Sequence, residues 1–157
     1  MIGNHEKPTK RPKGGERPFP WPCRHCGKLE VVMGVARYDA EIQHDGRIHS
    51  FTIPELHLPI CRACGEKVFT EKMDGQIGAA LRAHLHLLSP KEIRAGLERL
   101  NMTQEEAADR LGIAEATLSH WLTDTQLQSR ALDNLLRVFF AIPEVRAVLH
   151  GEPRPAA

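Results

Sequence analysis

Two short stretches of this 157-residue chain are near copies of each other, CRHCG at 23–27 and CRACG at 61–65, and together they hold all four of its cysteines. This repeat constrains the fold more than anything else in the sequence, because two thiols set three residues apart on a tight turn are half of a tetrahedral metal site. The glycine after each second cysteine suits a backbone conformation that a Cβ disfavours. Two such turns brought together make a four-cysteine site, so Cys23, Cys26, Cys61 and Cys64 are read as the ligands of one structural Zn2+ per chain. The 34 residues between the pairs exceed the common zinc-ribbon spacing, which a long intervening hairpin accounts for. The same four thiolates would also serve an iron–sulfur cluster. A thioredoxin-like redox pair needs one CxxC at the head of a helix in a βαβ setting, and both stretches here are flanked by loop-like sequence. His25, inside the first turn, could displace a cysteine as ligand but is read as an exposed residue, the set being complete without it. A closed four-thiolate site leaves no open position for water, and no nucleophile–base pairing occurs elsewhere, so an enzyme is not expected.

The first 22 residues, MIGNHEKPTKRPKGGERPFPWP, contain basic groups but no apolar core to follow them, so they do not read as a secretory signal. No run of about 18 apolar residues exists, and no membrane span is expected. A cytoplasmic, reducing compartment follows as the default, where paired cysteines are metal ligands rather than disulfides. Net charge is +1, unevenly spread. Residues 1–22 carry five Lys/Arg against two Glu, whereas 89–122 hold four basic and six acidic groups. No strongly basic nucleic-acid-binding face is evident from these totals.

The chain is predicted to be an α+β two-domain protein: a small β-hairpin zinc-binding domain with four cysteine ligands, followed by an all-α lambda-repressor-like helix-turn-helix domain. Residues 1–22, rich in proline, read as a disordered basic tail and 23–68 as the zinc-binding β domain, with 69–88 a helical linker, 89–150 the helix-turn-helix and dimerisation domain, and 151–157 a second tail. Within the zinc domain, HDG at 44–46 signals a tight turn, because Asp-Gly accepts the positive φ of a two-residue hairpin. Strands are expected near 30–42 and 47–53, with Pro54 and Pro59 breaking regularity afterwards. In the linker, Met73, Ile77, Leu81, Leu85 and Leu88 form a helical stripe, weakened early on by Gly75 and Gly78. From Ser89 the sequence reads as five short helices, with capping boxes at Ser89/Glu92 and Thr103/Glu106 and a further cap at Ser129. Pro90 and Pro143 open helices and Gly112 closes one.

The segment TQEEAADRLGIAEATLSHWL at 103–122 follows a helix-turn-helix pattern. Counting from Gln104, the fifth position is Ala108, small enough for two helices to cross closely, and the ninth is Gly112, which tolerates left-handed geometry. Leu111, Ile113, Leu118 and Trp121 fall where apolar residues lock the second helix on the first. Glu115, Ala116, Thr117, Ser119 and His120 are left along the helix that would enter a major groove, with Gln104 beside the phosphates. The stretch resembles the lambda-repressor-like (Cro/repressor, or XRE) family, with helices at 90–100 and 130–140 in the expected places. A helical bundle that binds no nucleic acid is the plainer alternative. It is favoured by the acidic balance, by Ala114 where a capping Ser or Asn is usual, and by Glu115 facing phosphates.

The combination of CRHCG, CRACG, TQEEAADRLG, LSHW and LLRVFFAIPEV in one short chain resembles the MqsA (YgiT-type) antitoxin family over about residues 23–149. The resemblance implies a type II antitoxin. The zinc domain would neutralise an mRNA-cleaving toxin, and the C-terminal domain would dimerise and repress its own operon on double-stranded DNA. Ala116 and His120 stand where the family places base-contacting Asn and Arg, so the operator is expected to differ. The hairpin edges around 31–35 and 49–53 are candidates for adding to a partner's sheet. Phe139, Phe140, Ile142, Val145 and Leu149 are candidates for the dimer interface. The competing reading is a zinc-ribbon and helix-turn-helix transcription regulator with no toxin partner.

Overall fold

The computed structural model describes residues 17–149, so residues 1–16 of the expected 1–22 tail and the whole expected tail at 151–157 lie outside the described residues. Three strands, β1 (Trp21–Pro22), β2 (Leu29–His44) and β3 (Arg47–Cys61), form a sheet in the order β1-β2-β3. Six helices follow: α1 (Glu71–His84), α2 (Pro90–Arg99), α3 (Gln104–Leu111), α4 (Glu115–Leu122), α5 (Arg130–Ala141) and α6 (Pro143–Val148). The chain is thus α+β with two compact units. Among the described residues no helix is long and apolar enough to cross a membrane.

Residues up to Tyr38 join Pro54–Asp74 in the first unit, whereas Asp39–Ile53 join the chain from Gly75 onward in the second. The expected boundaries fall at 68 and 88, whereas the far half of the hairpin and most of α1 group with the helices. Trp21 and Pro22 are also part of the sheet rather than of a tail, with Trp21 pairing antiparallel with Val31.

The hairpin turns at Asp45 and Gly46, both at positive φ (52° and 71°), which is the mirror-image turn that suits strand twist. Its strands run longer than expected, and β3 continues through Pro54 and Pro59 to Cys61. Proline is tolerated there because β3 is an edge strand. Along β2, half-buried and exposed residues alternate strictly from Val32 to Asp39. Along β3 the buried set changes phase by one residue at Pro54–Glu55, as an inserted residue does. That phase change falls where the chain passes from one unit to the other.

In the second unit, Ile93 and Leu97 of α2, Ala107, Ala108 and Leu111 of α3, Leu118, Trp121 and Leu122 of α4, and Leu136, Phe139 and Phe140 of α5 form one buried core. Phe139 and Phe140 are thus core residues rather than dimer-interface candidates. The Phe140 ring lies over Gly96, where a Cβ would stand 2.8 Å from it. Helix starts follow the local signals. Ser89 and Thr103 each form a complete capping box, Ser129 caps the Leu132 amide, and Gly112 closes α3 at φ 71°.

α1 is not a linker. It runs unbroken through Gly75 and Gly78 and carries a buried arginine into the helical unit. Arg82 donates from Nη1 to the Leu88 carbonyl (2.6 Å) and to Gln128 Oε1 (2.7 Å), and from Nη2 to Asp124 Oδ1 (2.7 Å). Gln128 donates in turn to the Leu88 carbonyl (2.8 Å) and to Asp133 Oδ1 (3.0 Å), and Asp133 also accepts from the Leu88 amide (2.7 Å) and from Arg137 Nε (2.8 Å).

Candidate metal centre and nucleic-acid interface

The two cysteine turns are built alike. The Gly27 amide donates to the Cys23 carbonyl and the Cys23 amide to that of Lys28, both at 2.8 Å. The Gly65 amide donates to the Cys61 carbonyl and the Cys61 amide to that of Glu66, again at 2.8 Å. Gly27 (φ 74°) and Gly65 (φ 78°) sit in the left-handed region, where a side chain would be strained. A donation at 2.9 Å from the Arg62 amide to the Glu30 carbonyl ties the second turn to the foot of β2. Cys23, Cys26 and Cys61 pack with Val31, Trp21 and Val68, and Trp21 stacks on Phe19 at 4.4 Å.

The four sulphurs all lie within 4.8 Å of one another. Cys23 Sγ is 3.6 Å from Cys64 Sγ, and Cys26 Sγ is 3.7 Å from Cys61 Sγ, so each turn meets the other through two sulphur pairs. These gaps are far too wide for a disulfide. They match the edge of a tetrahedron with metal–sulphur bonds of about 2.3 Å, which is about 3.8 Å. The donor set therefore fits a single tetrahedral metal ion, and the four cysteines can hold one.

Without an ion the thiols compete for charge. The Cys26 amide, ahead of the lesser effects, lowers the Cys23 thiol to about 7. The Glu66 amide favours a Cys64 thiolate, but burial and the three neighbouring thiols outweigh it and push that thiol up to about 12. One thiolate is easily made and a second beside it is not, and a bound dication removes that conflict.

In the helical unit, α3, the turn Gly112–Ala114 and α4 form the two crossing helices, with Ala107 and Ala108 buried where they meet. Ala114 makes no side-chain cap to α4. Leu118, Trp121 and Leu122 are buried, which turns the opposite side of α4 outward. Residues 93–143 match the helix-turn-helix family model. No curated protein matches the chain. The match indicates a DNA-binding transcription regulator.

On that outer side Glu115, Ala116 and His120 are exposed, and Thr117 and Ser119 are half-buried. Gln104, at the start of α3, is half-buried. The last turn of α4 is wound into the following loop. The His120 carbonyl accepts from the Thr125 amide (3.0 Å) and hydroxyl (3.2 Å), and the Ser119 carbonyl from the Thr123 amide (3.0 Å) and hydroxyl (2.9 Å). Two residues of the hairpin tip reach the same loop. His44 Nε2 lies 3.2 Å from the Gln128 carbonyl, and Asp45 Oδ2 accepts from the Arg130 amide at 2.6 Å. Phe51 and His84 stack at 5.1 Å, so the 49–53 part of the supposed free edge has side chains engaged with α1.

The sequence does not point to Arg82, Asp124, Gln128 and Asp133, which gather around the loop that follows α4. The bonds that join Arg82 to Asp124 and Gln128, and Leu88 to Gln128 and Asp133, span 40 or more residues and leave no local sign in the sequence.

Proposed function

We propose that this chain is a type II toxin–antitoxin antitoxin: its four-cysteine domain, clamped by structural zinc, neutralises an mRNA-cleaving toxin, and its helix-turn-helix represses its own operon as a DNA-binding homodimer in the cytoplasm. It has no catalytic role of its own. The observation that carries the reading is the joining, in one short chain, of a four-cysteine site that fits one tetrahedral ion to a helix-turn-helix unit.

Zinc suits the site because Zn2+ favours four thiolates in a tetrahedron and needs no redox chemistry. The toxin-binding face is the part of β2 beyond Val31, where β1 ends and the strand edge continues. Met33 and Val35 there expose 49% and 52% of their surface, an apolar pair suited to a partner strand. Dimerisation uses Val138, Ile142 and Val148 around the α5–α6 junction, all exposed. Gln104, Glu115, Ala116, Thr117, Ser119 and His120 face the operator, with His120 the base reader.

Co-expression with the ribonuclease-like product of an adjacent reading frame tests the proposal. Co-purification and rescue of growth support it, and Met33→Asp with Val35→Asp should abolish both while leaving operator binding intact. If no adjacent product binds while the chain still protects the DNA upstream of its gene, the metal-clamped regulator without a toxin is the correct reading.

A further inference from the structure

Arg82 lies in α1, outside the segment that matches the helix-turn-helix model, yet its guanidinium makes three hydrogen bonds around the loop that follows α4. It is 4% exposed, and the two residues it bridges inside the unit, Gln128 and Asp124, stand at the end and the start of the loop that follows α4. One nitrogen of the fork holds Gln128 and the Leu88 carbonyl, and another holds Asp124. Nε is left buried without a partner, an unfavourable arrangement that the geometry of the other contacts must offset.

Asp124 is at φ 57°, a left-handed conformation that a non-glycine residue adopts at a cost. Its carboxylate is held there by Arg82. Its two neighbours, Thr123 and Thr125, supply the groups that close the last turn of α4 on the Ser119 and His120 carbonyls. From the opposite side, His44 and Asp45 of the hairpin tip hold the Gln128 carbonyl and the Arg130 amide. The C-terminal turn of the recognition helix is therefore fixed by a clamp on the loop behind it, separately from the apolar core beneath it.

We infer that Arg82 is a positioning residue for sequence reading: it touches no DNA, and it sets the orientation of Ser119 and His120 through Asp124 and the loop 123–128. This rests on the reading of α4 as a DNA-recognition helix. Lysine cannot replace it, because one ammonium cannot reach Asp124, Gln128 and Leu88 in the fork geometry.

The test uses the full chain and a duplex that the wild-type chain itself selects from a random library, with a scrambled duplex as control. Arg82→Lys and Arg82→Met should each lose about tenfold in affinity for the selected duplex, the scale of one lost base contact, and less than about twofold for the scrambled one. Binding is measured well below each variant's own melting temperature. A role confined to stability would lower melting and leave the ratio of selected to scrambled affinity unchanged, and that result overturns the inference. Should the Arg82 variants not fold, Asp124→Asn decides. It removes the ion pair at a partly exposed site and leaves the Gln128–Asp133–Leu88 bonds in place, so a folded Asp124→Asn with wild-type discrimination also overturns it. If the wild-type chain selects no duplex, the DNA-binding reading fails, and the inference fails with it. That outcome is distinct from selection followed by unaltered discrimination in the variants.

Discussion

Gly96 leaves the helical core no slack. A methyl there would meet the Phe140 ring at 2.8 Å, and that ring is itself enclosed. Gly96→Ala should cost about 1–3 kcal/mol through overpacking, read as a lowered urea midpoint. Asp133 carries a different kind of constraint. Its burial would raise the carboxyl, but the Leu88 amide, the Arg137 guanidinium and the Gln128 amide outweigh this and hold it below its ordinary value of 3.8. Because the folded value is the depressed one, the stabilisation is complete above the unfolded value and is lost as pH falls through the folded value. Asp133→Ala strands the Leu88 and Gln128 donors, so it should cost about 2–4 kcal/mol at neutral pH. The gap to wild type should narrow below about pH 4, which urea titrations at several pH values would show.

At the scale of elements, the features legible in the sequence are those settled within a few residues. Ser89/Glu92, Thr103/Glu106 and Ser129 fix three helix starts, Gly112 fixes one end, and Asp45–Gly46 fixes the hairpin turn. Each of these signals and its partner lie on the same turn of chain. The cysteine cluster is legible for a similar reason, since its two halves repeat one local hydrogen-bond pattern. What the sequence conceals is where long elements end and what they pack on. The prolines of β3 look like breakers because its edge position cannot be seen locally, and the two α1 glycines look weak because the contacts of Arg82 lie far along the chain. Phe139 and Phe140 look surplus until Gly96 makes room for a ring. α4 lacks a start signal in both sequence and structure, because Ala114 gives it no side-chain cap. Ala114→Ser should stabilise the helical unit by about 0.5–2 kcal/mol, measured as a raised melting midpoint.

For the whole molecule, the division at Tyr38/Asp39 and Ile53/Pro54 makes a sharper prediction than a split after the last cysteine. Chelating the metal should expose amides of residues 17–38 and 54–67 to exchange. Those of α2–α5 and of the hairpin tip at 39–53 should stay protected, and joint loss of protection would contradict the two-unit organisation. Charge adds a further expectation. With six acidic and four basic groups over 89–122, few phosphates can be neutralised per helical unit, so DNA affinity should fall only shallowly with salt. A titration of the selected duplex against salt measures that slope.

The bond from the Arg130 amide to Asp45 joins residues 85 positions apart. During synthesis at about 5–20 residues per second, the hairpin tip waits about 4–17 s for the helix that receives it. The second cysteine turn emerges well before that, so the clamp at the foot of the hairpin is available to hold the two strands in register while the ribosome is still making their docking site.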